Sequence, residues 1–196
     1  AIAIVGTLDL EDMDIRAAQL ATFRTLLGNL AENGQVPANV NLDSGVADYS
    51  GVGGICAIDG ALWLVLAFYQ YVRKREAWDC LAEYAPALER VMNWLLGLDS
   101  NNDGLLEIPE AGDWTDLFGR SYHILYDEVL WYRAAVSYGR LLEHQGRLEE
   151  AAAWLRRAQS IRAKILAAFW PTTKPRDPSA RVSFADQQFA VGDSSY

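Results

Sequence analysis

Between residues 99 and 116 the chain reads Asp-Ser-Asn-Asn-Asp-Gly-Leu-Leu-Glu-Ile-Pro-Glu-Ala-Gly-Asp-Trp-Thr-Asp, a connection dense in carboxylates. Two chemistries suit it. With Asp99 as position one, Asn101 falls at three, Asp103 at five, Gly104 at six, Leu105 at seven and Glu110 at twelve, which satisfies the EF-hand calcium-loop pattern. Calcium takes about six to eight hard oxygens, so short side chains at alternate positions wrap it while the glycine turns sharply and the Leu105 carbonyl points inward. Glu110 closes the shell, or Glu107 replaces it. Pro109 and the following Ala-Gly-Asp leave no room for an exiting helix, so the loop would stand alone. The competing reading is an Asx-rich turn with Gly104 left-handed.

The second chemistry lies just beyond. Asp113, Trp114 and Asp116 are followed by Tyr126-Asp127-Glu128-Val129-Leu130-Trp131-Tyr132, so acids and aromatic rings alternate. Glycosidic cleavage needs a protonated carboxyl beside the leaving oxygen and an ionised one opposite, and apolar surroundings raise the acid's pKa. The alternative is that Asp113 caps a helix while Asp127 and Glu128 occupy the first turn of the next. Asp59 opens an otherwise apolar helix, where an unpaired charge is costly, so it should have a partner or a ligand. His123 and His144 have no metal spacing and read as ordinary helix-end residues.

Five helical stretches must position these groups: about 13–32, 55–73, 78–98, 122–144 and 149–169. The second and fourth are apolar nearly all round and read as inner helices. The third and fifth carry one charged face. Short turns at 74–77 and 145–148 join each inner helix to an outer one, whereas long loops lead into the inner helices. That asymmetry predicts an all-α, double-layered helical barrel. A solenoid ranks second, because no fixed repeat period is visible.

The chain has 196 residues, 51% of them hydrophobic, enough for one core, and we read 1–196 as a single domain. A formal charge of -9 disfavours nucleic acid or an anionic membrane as partner. No apolar run approaches the ~20 residues of a membrane span, so the chain is read as soluble, with a cytoplasmic location ranked before a secreted one. Most of the seven Trp, nine Tyr and six Phe should pack the core, and the remainder suits sugar stacking. Cys56 and Cys80 read as two buried thiols.

Gly34-Gln35-Val36-Pro37, Asp59-Gly60-Ala61-Leu62-Trp63, Asp103-Gly104-Leu105, Gly112-Asp113-Trp114-Thr115-Asp116 and Glu128-Val129-Leu130-Trp131-Tyr132 occur in that order. Together they resemble the glycogen-debranching, amylo-alpha-1,6-glucosidase-like glycoside hydrolases of the (α/α)6 six-hairpin superfamily, over about residues 13–170. The resemblance implies an inverting hydrolysis of an alpha-linked glucan or oligosaccharide with Asp116 as general acid. Alignment with the more distant trehalase-like enzymes would move that role to Asp113. It further implies that Glu128 lines a sugar subsite and that Asp59 and Trp63 belong to the pocket-lining helix, with Trp114 and Trp131 as aromatic neighbours.

Such barrels have twelve helices and draw their base, a glutamate, from late in the barrel. Residues 170–196 contain no Glu. The chain is therefore expected to be the central part of a toroid, its inner helices covered by the rest of the barrel or by self-association. The alternative function is a calcium-stabilised carbohydrate-binding or helical interaction module without catalysis.

Overall fold

A computed structural model describes residues 1–50, 54, 56–115 and 120–169. It is all-α apart from one two-stranded ribbon. The helices are α1 (Ile2–Thr7), α2 (Met13–Gly28), α3 (Asp59–Arg75), α4 (Trp78–Leu96), α5 (Leu125–His144) and α6 (Leu148–Ala168). The ribbon pairs β1 (Asn39–Val40) with β2 (Ala47–Asp48), antiparallel.

The expected difference between helices apolar nearly all round and helices with one charged face is present in the burial. In α3 the residues Leu62, Leu64, Val65, Ala67, Phe68 and Val72 are sealed from water on several sides of the helix, and α5 buries Trp131, Ala134, Ala135, Tyr138, Leu141 and Leu142. These two helices pack on each other, α4 packs on α3 and α6 on α5. In α4 the buried residues Leu81, Tyr84, Leu88, Val91, Met92 and Leu95 recur at helical spacing, leaving the opposite face to water. In α6 only Ala151, Ala158, Ile161 and Ala168 are buried.

Both hairpin turns are tight. Glu76 takes a left-handed conformation at φ 52° after α3, and Gly146 does so at φ 75° after α5. Trp78, which opens α4, stacks on His144, which closes α5, with ring centroids 3.7 Å apart. Arg147, before α6, pairs with Glu89 of α4 at 3.0 Å. The two turns therefore lie together, and the N-terminal ends of α3 and α5 meet at the opposite end of the hairpins.

Several expected boundaries shift. The first long helix ends at Gly28 rather than residue 32, where Asn29 leaves helical geometry and donates its side-chain amide to the Thr25 carbonyl. The inner helix α5 starts at Leu125, not 122, because Tyr122 sits at φ 70° and its backbone pairs with Ile108. The short α1, which packs on α3, and the β1–β2 ribbon were not foreseen. Cys56 and Cys80 are half-buried free thiols rather than fully buried ones. Residues 170–196 lie outside the described residues, as does the start of the second expected helix at residue 55.

Candidate functional site

Acidic and aromatic side chains collect where the first turns of α3 and α5 meet. Trp63 Nε1 donates to the Tyr126 hydroxyl at 2.8 Å, and that hydroxyl donates to Asp59 Oδ2 at 3.2 Å. Asp59 thus has the partner that its place on an apolar helix demanded. Burial pushes the Tyr126 phenol up to about 12, with the Asp59 charge adding to the effect. The phenol is a hydrogen-bond donor at any ordinary pH.

The loop between α4 and α5 completes the site. It is pinned by the Ile58 amide, which donates to the Gly112 carbonyl at 2.8 Å, and by paired bonds between Ile108 and Tyr122. Asp113 is buried, with Oδ2 2.5 Å from Arg120 Nη2 and Oδ1 accepting from the Thr115 amide at 2.8 Å and from the Thr115 hydroxyl. Both oxygens are therefore engaged within the loop. Trp114 next to it is 64% exposed and meets Tyr126 edge-on at a centroid distance of 6.2 Å. An exposed indole beside half-buried tyrosine is a surface on which a sugar ring can stack. Asp116 lies outside the described residues.

A carboxylate that the sequence reading left among ordinary first-turn residues is the most unusual group here. Asp127 is fully buried, and among the described residues neither of its oxygens has a hydrogen-bond partner. Burial first, and then the charges of Asp113, Asp59 and Glu128, push its carboxyl up to about 8, against the pull of Arg120. Near neutral pH it is held largely protonated. Its sequence signal was the Tyr126-Asp127-Glu128 triplet, where two consecutive acids open a buried helix and cannot both face water.

No protein-family model matches the chain, and no curated protein matches it.

Two residues expected at a sugar subsite are elsewhere. Trp131 is fully buried, donates to the Gly104 carbonyl at 3.3 Å and packs edge-on against Trp154, so it belongs to the α5–α6 core. Glu128 is also fully buried and faces the loop, where Oε1 accepts from the Leu106 amide at 2.9 Å and lies 3.6 Å from His123 Nδ1. One residue along a helix rotates a side chain by about 100°, which sends Asp127 towards the aromatic cluster and Glu128 towards the loop.

The segment read by spacing as a calcium loop forms a series of local turns. Asn101 Oδ1 accepts from the Asp103 amide at 2.7 Å, Asp103 Oδ1 accepts from the Leu105 amide at 2.8 Å, and Gly104 is left-handed at φ 90°. These are the Asx turns of the competing reading. Leu105 is buried, Asp99 is half-buried and Glu110 is exposed. Glu107, the alternative closing ligand, turns inward, and the ligand atoms brought close together are those of Asp103, Glu107 and His123. Two carboxylates and an imidazole do not fit the all-oxygen shell of calcium. His123, read earlier as an ordinary helix-end residue, is buried against Asp103 and Glu128. Burial lowers its pKa, but the two carboxylates outweigh burial and hold it at about 10.

Proposed function

We propose that the protein is an inverting glycoside hydrolase acting on an alpha-linked glucan or oligosaccharide, of the amylo-alpha-1,6-glucosidase-like kind. The described hairpins would form part of an (α/α)6 toroid. The observation that carries this reading is the convergence of Asp59, Asp113 and Asp127 with Trp63, Trp114 and Tyr126 at the N-terminal ends of two adjacent inner helices.

The chemistry follows from that grouping. Trp114 supplies the stacking surface at the rim, and the Tyr126 phenol, oriented by Trp63 and Asp59, supplies a fixed polar edge. Asp116, two residues beyond Trp114, is the proposed general acid. Asp113 is engaged by Arg120 and Thr115, which suits a carboxylate that shapes the loop better than one that delivers a proton. Asp127, held largely protonated, adds no negative charge to the ionised Asp59 and Asp113 in the cluster. The base, a second carboxylate at about 6.5–9.5 Å that leaves room for water, would come from another part of the barrel.

Asp116→Asn in the intact protein, assayed on alpha-1,6- and alpha-1,4-linked glucose oligosaccharides, should lower turnover by at least a thousandfold while leaving binding of the oligosaccharide nearly unchanged. Proton NMR of the first-formed product should show the beta anomer. Turnover retained in the variant would remove the assignment of Asp116. The second reading, a carbohydrate-binding module without catalysis, draws on the exposed Trp114 ring and expects binding with no hydrolysis of any glucan.

A further inference from the structure

Away from the aromatic cluster, a separate group of titratable side chains stands where the α4–α5 loop meets the residues entering α5. Asp103, Glu107 and His123 each offer one ligand atom, and these atoms all lie within 4.8 Å of one another. Glu107 Oε2 accepts from the Ser100 amide and hydroxyl, whereas Oε1 is buried and has no hydrogen-bond partner among the described residues. Asp103 commits Oδ1 to the Leu105 amide and turns Oδ2 to His123 Nε2 at 3.3 Å, with the Asn101 amide also 3.3 Å from that oxygen.

The other side of the imidazole is occupied by a carboxylate. Glu128, fully buried, lies 3.6 Å from His123 Nδ1 and is itself fixed by the Leu106 amide. A carboxylate on the nitrogen opposite the ligating one is the arrangement that sets the tautomer and ring orientation of a metal-binding histidine. The helix α5 and the loop thus supply both the donors and the support behind them.

We infer that Asp103, Glu107 and His123 bind a divalent transition-metal ion of the zinc class, the ion displacing the Nε2 proton of His123 to solvent and Glu128 orienting the imidazole. Imidazole and carboxylate together suit zinc and its neighbours, and three protein donors with one water complete a tetrahedral shell. The ion would clamp residues 103–107 of the loop to His123, two residues before α5 begins, and so hold the approach to the aromatic cluster. It does not depend on the protein being a glycosidase.

The test uses the intact protein stripped with chelator and titrated with zinc chloride in a calorimeter. One equivalent should bind and raise Tm, and cobalt chloride in its place should give visible d–d bands. Glu107→Gln, which keeps the shape of a half-buried side chain, should weaken zinc at least tenfold, and His123→Asn should abolish the cobalt bands. Glu128→Gln should weaken zinc by about 10–100-fold through the imidazole. Replacing Cys56 and Cys80 by serine should leave binding as it was. Failure to bind zinc, an affinity unmoved by Glu107→Gln, or a Tm that rises with calcium chloride and not with zinc would each overturn the assignment.

Discussion

Trp63 and Tyr126 are joined by a 2.8 Å hydrogen bond between side chains 63 positions apart, which ties the first turns of the two inner helices together. The same phenol reaches Asp59, so one hydroxyl links an indole, a carboxylate and two helices. Tyr126→Phe removes that link without changing the ring. The Trp63 N–H loses its acceptor, and the expected cost is about 1–2 kcal/mol, read from the urea midpoint at constant m value. In a Trp63→Phe background the same change should cost less, and equal costs in the two backgrounds would show that the bond does not couple the helices.

Asp127 makes stability depend on pH in a direction opposite to that of a salt-bridged carboxylate. Its folded pKa of about 8 lies above the unfolded value of about 3.9, so the folded state binds the proton more tightly. The stability it contributes is complete below about pH 4 and is lost as pH rises to about 8. Asp127→Asn keeps the shape of the protonated acid and has nothing to titrate. Unfolding measured from about pH 5 to pH 9 should show the wild type losing stability relative to this variant. Parallel curves would mean that the carboxyl is ionised and compensated in the fold.

The two tryptophans flanking this region should separate cleanly. Trp114, 64% exposed, is free to change: Trp114→Ala should move stability by no more than about 0.5 kcal/mol while weakening oligosaccharide binding about tenfold. Trp131 is fully buried between the loop and α6, and Trp131→Ala should cost about 3–5 kcal/mol. Thermal unfolding and a binding titration on each variant give both readings. A binding loss confined to Trp131→Ala would reverse the roles assigned to the two rings.

Gly34 occupies a position that no other residue fits. It lies at φ 94°, and a Cβ there would come within 2.2 Å of the Arg90 carbonyl oxygen. Gly34→Ala must therefore displace the turn from α4, at a cost of about 2–4 kcal/mol from clash and left-handed strain together. A loss below about 1 kcal/mol in chemical unfolding would mean that the turn moves freely.

Much of the architecture was legible in the pattern of residues. The all-round apolar stretch around Leu62 to Val72 and the one-sided stretch around Leu81 to Leu95 differ in composition, and burial follows that difference. The hairpin turns at Glu76 and Gly146 were marked by short polar breaks between long apolar runs. Spacing also singled out the acidic loop, because Asx residues at alternate positions form local turns whatever the rest of the chain does.

The amino-acid order alone thus determined the five long helical segments, which of them are apolar nearly all round and where the acids are concentrated, since these depend on neighbours within a few residues. Only the tertiary structure decided what each acid faces. Whether Asp127 or Glu128 enters the aromatic cluster depends on the rotation of α5 against α3, and whether Glu107 or Glu110 turns inward depends on the backbone bridge between Ile108 and Tyr122. His123 became a member of the acidic cluster for the same reason. Its partners Asp103 and Glu128 are set by packing across the loop, a contact that local spacing does not encode.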